Sequence, residues 1–158
     1  MSTGDVVVSD ASPLILLARI SRLELLRTIS ARVVAPPEVW REATRHPRAP
    51  GATTLLGATW IEVRAPIAPV DGPLGLGERE AIALAKELDA VLVVDDGDAR
   101  ARAMVEGVKI VGTVGVLKRA KQVGHLKLVG PIIEELRANG LRITDAIVAA
   151  VLRDVGER

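Results

Sequence analysis

Two short valine-rich runs constrain the fold of this chain more than any other feature. Residues 5–9 (DVVVS) and 91–94 (VLVV) are apolar without alternation, and each runs straight into acid: Asp10 after the first, Asp95 and Asp96 after the second. A strand with one wet face alternates polar and apolar residues, whereas a strand apolar throughout has to be covered on both faces. Such strands alternate here with helical patterns. That combination points to an α/β fold, a central parallel sheet between two helical layers, with right-handed crossovers.

The remaining elements follow from local signals. Ser12-Pro13 is a helix start, with the hydroxyl as N-cap and proline at the first helical position. A second helix is expected over 22–29 and a second strand over 32–35. Pro36-Pro37 opens the helix PPEVWREATR, which HPRAPG at 46–51 breaks. A third strand is expected over 60–63. Residues 65–77, rich in proline and glycine, read as an ordered loop, and a strongly periodic helix covers 78–88. Another helix is expected over 98–106 and a fifth strand over 109–111. Helices then cover 114–122 and 132–138, and a last one capped by Thr144 runs to about 153. No repeat or low-complexity tract interrupts the chain, and residues 1–158 read as one domain.

Composition narrows the classes. The 158 residues are 49% hydrophobic and 26% charged, which excludes a disordered chain. There is no cysteine, hence no disulfide framework and no thiolate zinc site. No apolar run approaches about 18 residues and no signal peptide opens the sequence, so a soluble cytoplasmic protein is expected, with no membrane contact. The net charge is +1, yet residues 100–127 hold seven basic side chains and one acid, Glu106. This is either a local basic face or a set of solvated helix surfaces. The only aromatics are Trp40 and Trp60. With so few rings to stack on bases, any contact with nucleic acid should go mainly to the sugar-phosphate backbone.

The acids carry the functional reading. In open α/β sheets the functional crevice lies beyond the carboxyl ends of the strands, where the strand order reverses. Asp10 follows the first strand; Asp95 and Asp96 follow the fourth, with Asp98 two residues on. Glu78, in GLGEREAIALA, lies in the first turn of the helix leading into the fourth strand, and Glu42, in PPEVWREA, on the helix after the second. Singly, each has a plain structural explanation: a helix cap, a turn residue, a favourable charge at a helix N-terminus, or a surface partner of Arg45. Gathered at one point they would repel one another, and a hard divalent cation with oxygen-only ligands, Mg²⁺ or Mn²⁺, is the usual remedy.

In order, SDASPLI, PxxVxxE, GExEAIxLA, DDxxAR and GTxGxL make the chain similar to the PIN-domain family over about residues 6–152, and more narrowly to small VapC-like prokaryotic members. The resemblance implies a three-layer α/β/α sandwich with strand order 3-2-1-4-5 and a Mg²⁺- or Mn²⁺-dependent ribonuclease. By position it places the acids at Asp10, Glu42, Glu78 and Asp96, with Asp98 in support and Asp95 as the alternative to Asp96. It also implies a homodimer and a small antitoxin partner, as in toxin–antitoxin pairs. Two departures stand out: glutamate rather than aspartate at 78, and Ala99-Arg100 where toxin members often carry an aromatic. For substrate contact the candidates are Ser12, Arg100, Lys118, Arg119 and Lys121; Ser12 is better explained as a plain N-cap.

Three rivals compete. A binding module with a degenerate, metal-free site would hold RNA or an antitoxin and cut nothing. A phosphoacceptor receiver wants its carboxyl pair after the first strand and a lysine after the fifth, where this chain has Gly112-Thr113. A dinucleotide enzyme is not supported by GLG, which follows no strand and lacks the third glycine.

Overall fold

The computed structural model describes residues 6–158. Its elements, in chain order, are β1 (Val6–Ser9), α1 (Ala11–Arg19), α2 (Leu25–Ile29), β2 (Arg32–Ala35), α3 (Pro37–Thr44), α4 (Ala52–Gly57), β3 (Ile61–Val63), α5 (Leu76–Leu88), β4 (Val91–Val93), α6 (Gly97–Val105), β5 (Ile110–Val111), α7 (Thr113–Gln122), α8 (Gly130–Ala138) and α9 (Asp145–Asp154). The expected first strand also included Asp5, which lies outside the described residues.

The five strands form one parallel sheet in the order β3-β2-β1-β4-β5. Val8 pairs with Val34 on one side and Leu92 on the other. Consecutive strand side chains point to opposite faces, and both Val7 and Val8 are essentially inaccessible. Helices therefore cover the central strand on both faces, which is why these runs do not alternate. The reversal of strand order falls between β1 and β4. The ladder between them extends one residue past the strands, because the Asp10 amide donates to the Val93 carbonyl at 2.9 Å. Asp10 thus leaves the sheet at the switch point.

Three local differences from the sequence reading have physical causes. The first helix starts two residues earlier than Ser12-Pro13 implied: Asp10, in extended backbone, takes the N-cap position, and Ser12 is an exposed residue inside the helix. The second helix is shorter, since Ser21 turns into left-handed backbone (φ 58°) before it. A helix, α4, occupies 52–57, where the sequence offers no clear periodicity in ATTLLG. Its entry depends on Gly51, whose φ is 84° and where a Cβ would stand 2.7 Å from the Ala18 carbonyl carbon. Glycine alone tolerates both that backbone and that approach to α1.

The loop after β3 is ordered by polar contacts. The Ile67 amide donates to both Glu87 carboxylate oxygens at 3.0 Å, and Arg79 donates to the Leu74 carbonyl at 3.0 Å. Arg102 donates to the carbonyl of Asp71. This fastens the loop over α5 and α6 and fixes where α5 begins.

Candidate active site

Asp10 sits at the carboxyl end of the central strand and is 6% exposed. Its carboxyl is pushed up to about 7, first by burial and further by the charges of Glu78, Glu42 and Asp96; the Ala11 amide opposes the rise. Three acids from three other elements, Glu42, Glu78 and Asp96, thus lie within electrostatic reach of one buried carboxyl.

Each arrives by a distinct local device. Glu78 is the third residue of α5, and its carboxylate is reached by the amide of Gly75, the N-cap residue; this is the returning half of a capping box. Its carboxyl is also raised, by burial first and then by the charge of Asp96. Asp96 caps α6, accepting from the Ala99 amide at 3.0 Å. Glu42 projects from α3, whose N-terminal turn is tied to α5 because the Glu38 amide donates to Glu80 at 3.1 Å. Gly77 on α5 lets the two helices close: a Cβ there would lie 3.6 Å from a Glu42 carboxylate oxygen. The resulting site is graded, with Asp10 buried, Glu78 half-buried, and Glu42 and Asp96 exposed.

Asp95 does not join them. It accepts from the Thr113 amide at 2.8 Å and from the Thr113 hydroxyl at 2.5 Å. Side chains of successive residues leave an extended segment in opposite directions, so the binding of Asp95 to β5–α7 leaves Asp96 for the crevice. Asp98 lies exposed in the first turn of α6 and does not act on Asp10.

The candidate substrate residues fare unevenly. Arg100 donates to the Val94 carbonyl at 2.9 Å and lies beside Asp95, so it braces the end of β4. Lys118 pairs with Asp154 at 3.1 Å, and Lys121 with Glu157 at 2.7 Å and the Val155 carbonyl at 2.9 Å. These contacts tie the chain terminus to α7. Arg119 alone of the three has no ion-pair partner among the described residues. Ser12 is exposed at the mouth of the site.

Thr113, Gly112, Glu80 and Gly75 were not singled out from the sequence as site-building residues. Thr113 and Gly112 belong to GTxG, whose position directly after β5 was the available signal. Gly112 is needed because a Cβ there would come within 3.0 Å of Asp95 and 3.1 Å of Arg100. Glu80 looked like an ordinary first-turn acid; its partner lies 42 residues away.

The donor set is all carboxylate oxygen, suited to a hard divalent cation, and a buried carboxyl charged by three neighbours is a position that a cation would relieve. Among the described residues, no three such side chains already close around one point. The acids thus stand more open than a closed ligand shell.

Comparison with known proteins agrees with this fold. The sequence matches the PIN-domain family DUF3368 over residues 6–157, and the chain belongs to that family. PIN domains are commonly nucleases, usually with divalent metal ions. Among solved structures, the fold is similar to a PilT N-terminus domain protein from the hyperthermophilic archaeon Sulfolobus solfataricus P2. The TM-score is 0.56 at 22% identity, over 78% of this chain and 98% of that one. No curated protein matches the sequence. Among the described residues no helix is long and apolar enough to cross a membrane.

Proposed function

We propose that this chain is a Mg²⁺- or Mn²⁺-dependent endoribonuclease, the toxin-type member of a toxin–antitoxin pair. The observation that carries the reading is Asp10: a buried carboxyl at the switch point, charged by Glu42, Glu78 and Asp96. Membership of the PIN family supports hydrolysis of a phosphodiester. The motifs shared with VapC-like members support RNA as substrate, a homodimer and a small antitoxin partner.

In this reading Asp10 and Asp96 are the direct metal ligands, Glu42 and Glu78 complete the shell, and Asp98 supports it from the rim. When bound, the cation supplies charge for the leaving oxygen and acidifies the attacking water. The chain's own residues do the rest. Asp10, buried at the end of the central strand, would hold the cation from the sheet side. The Glu78 carboxyl, raised by burial and by the Asp96 charge, would have to lose its proton to act as a ligand, so metal affinity would rise with pH. Gly75 and Ala99 amides hold those two carboxylates in place while the charge changes.

A cleavage assay on RNA with Mg²⁺, Mn²⁺ or EDTA tests the proposal. Cleavage that requires the metal and vanishes in Asp10→Asn is expected; metal-independent cleavage, or an equally active variant, would overturn it. The second reading, a non-cleaving binding module, draws on the open arrangement of the acids. Calorimetry with Mn²⁺ separates the two, since a degenerate site gives no saturable binding.

A further inference from the structure

One open cleft among the described residues lies away from the acids at the sheet switch point. It has a volume of about 610 Å³ and lies at the α1–α2 corner, lined by Arg22, Arg27, Glu24 and His125 among others. A smaller one, about 240 Å³, lies on α7 and is lined by Gly115, Lys118, Arg119 and Gln122. Residues at i, i+3, i+4 and i+7 share one face of a helix, so these four form a single stripe. His125 follows that helix, and α2 packs against it. The stripe therefore begins two residues past Thr113, which Asp95 holds, and leads about 10 Å along the helix toward the larger cleft.

This surface is cationic and incompletely partnered. Four cations and His125 face one carboxylate, Glu24, in the two linings. Arg22, Arg27 and Arg119 have no ion-pair partner among the described residues. Arg27 lies 5.1 Å over the Trp60 ring, which holds it in place without spending its charge. Arg119 is the telling residue. Its Nε is buried with no hydrogen-bond partner, and its nearest bond is a long 3.5 Å contact to Gln122. A buried donor left unmet is rare and costly, and turning the side chain out toward an incoming acceptor would relieve it. Phosphate offers acceptors only, and the planar guanidinium donates to it in pairs.

We propose that the Gly115–His125 face of α7 and the α1–α2 corner form a track for the sugar-phosphate backbone of single-stranded RNA, with Arg119 and Arg22 binding phosphates. The identity of the polyanion as RNA rests on the nuclease reading. Both tryptophans are packed against the core, which leaves the track with His125 as a stacking ring among its lining residues, so it reads backbone more than sequence.

The test is binding of a fluorescent single-stranded RNA 12-mer in EDTA, over a range of salt. Each phosphate contact on a single strand contributes about 0.7 to the slope of log K against log salt. Arg22→Gln/Arg119→Gln should flatten that slope by about 1.4 and weaken binding about five- to tenfold at low salt. The corresponding double lysine variant should keep most of the slope. Lys109→Gln, an exposed charge before β5 at the far end of the sheet, should keep all of it. If the double variant melts early, Arg22→Gln alone is read, with an expected change of about 0.7. A double variant, or a folded Arg22→Gln, with the wild-type slope overturns the track, as does wild-type protein that fails to bind at low salt. Wild-type protein that binds with the expected slopes yet cuts nothing overturns the nuclease and leaves the track; wild-type protein that cuts, with slopes indifferent to these arginines, does the reverse.

Discussion

Asp95 accepts two hydrogen bonds from Thr113, 2.8 Å from its amide and 2.5 Å from its hydroxyl, and this fixes the adjacent Asp96 toward the acids. Two neighbouring aspartates thus do different work. Asp95→Asn can keep both contacts, since its carbonyl accepts from the amide and its NH₂ donates to the hydroxyl. Thr113→Val leaves a carboxylate oxygen without its hydroxyl donor and is expected to cost about 1–3 kcal/mol. Thermal melts should rank Asp95→Asn above Thr113→Val. Mn²⁺ calorimetry should show Asp95→Asn still binding and Asp96→Asn impaired; the opposite order would assign the metal to Asp95.

The Asp10 carboxyl sets a pH dependence with a definite sign. Its folded value of about 7 lies above the ordinary 3.8, so the folded protein holds a proton that the unfolded chain has lost. Without metal, stability should be full below about pH 4, fall as pH rises, and level off above about pH 7. Asp10→Asn removes that slope and should raise the apoprotein's stability at pH 8 by on the order of 2–4 kcal/mol. Urea melts in EDTA at pH 5 and pH 8 check it. A variant less stable than wild type at pH 8 would mean that the carboxylate is not under strain from its neighbours.

Neutralising Glu78 acts in the same direction but more weakly, because this side chain is only half-buried. Its carboxyl is raised by burial and by Asp96, so the ionised form is the unfavourable one in the folded state. Glu78→Gln in EDTA should melt higher than wild type at pH 8 and show little difference near pH 4. Added Mn²⁺ should reverse the order at pH 8, since the cation stabilises whichever protein binds it.

The sheet was legible because its strands are apolar on both faces, a pattern that few folds accept, and because acids close β1 and β4. Those same acids marked the switch point. What could not be read were contacts between distant side chains. Nothing around Lys121 announces Glu157, 36 residues on, and nothing in GEREA says that Glu80 caps a helix while Glu78 faces the crevice. The placement of Asp95 was hidden for the same reason: its partner, Thr113, is 18 residues away. The helix over 52–57 was missed because its sequence is short and β-branched, and it forms through the glycine that lets it touch α1.

Glu80 supplies a positional test. It accepts from the Glu38 amide in the first turn of α3, a donor that no carbonyl within that helix can satisfy. Glu80→Ala should cost about 1 kcal/mol, in the range of lost helix caps, and loosen Glu42 against α5. Glu80→Gln keeps the accepting oxygen and should restore both. The readout is Mn²⁺ affinity alongside melting: a purely structural role would lower the melting point and leave the affinity of the folded protein unchanged.

Glu157 holds the terminus by chemistry that acid should undo. One carboxylate accepts from the Val129 amide at 2.8 Å, the Gly130 amide at 3.0 Å and Lys121 at 2.7 Å, so it caps α8 while pairing with α7. Burial acts to raise its carboxyl, but Lys121 and the two amides outweigh this and carry it down to about 2. Because the folded value lies below the ordinary 4.5, the stabilisation is complete above about pH 4.5 and is lost as pH falls toward 2. Glu157→Gln should lower the melting midpoint by on the order of 3–6 °C at pH 7, and the gap to wild type should close as pH approaches 2. A gap that persists unchanged at pH 2 would mean that packing of the side chain, rather than its charge, secures the end of the chain.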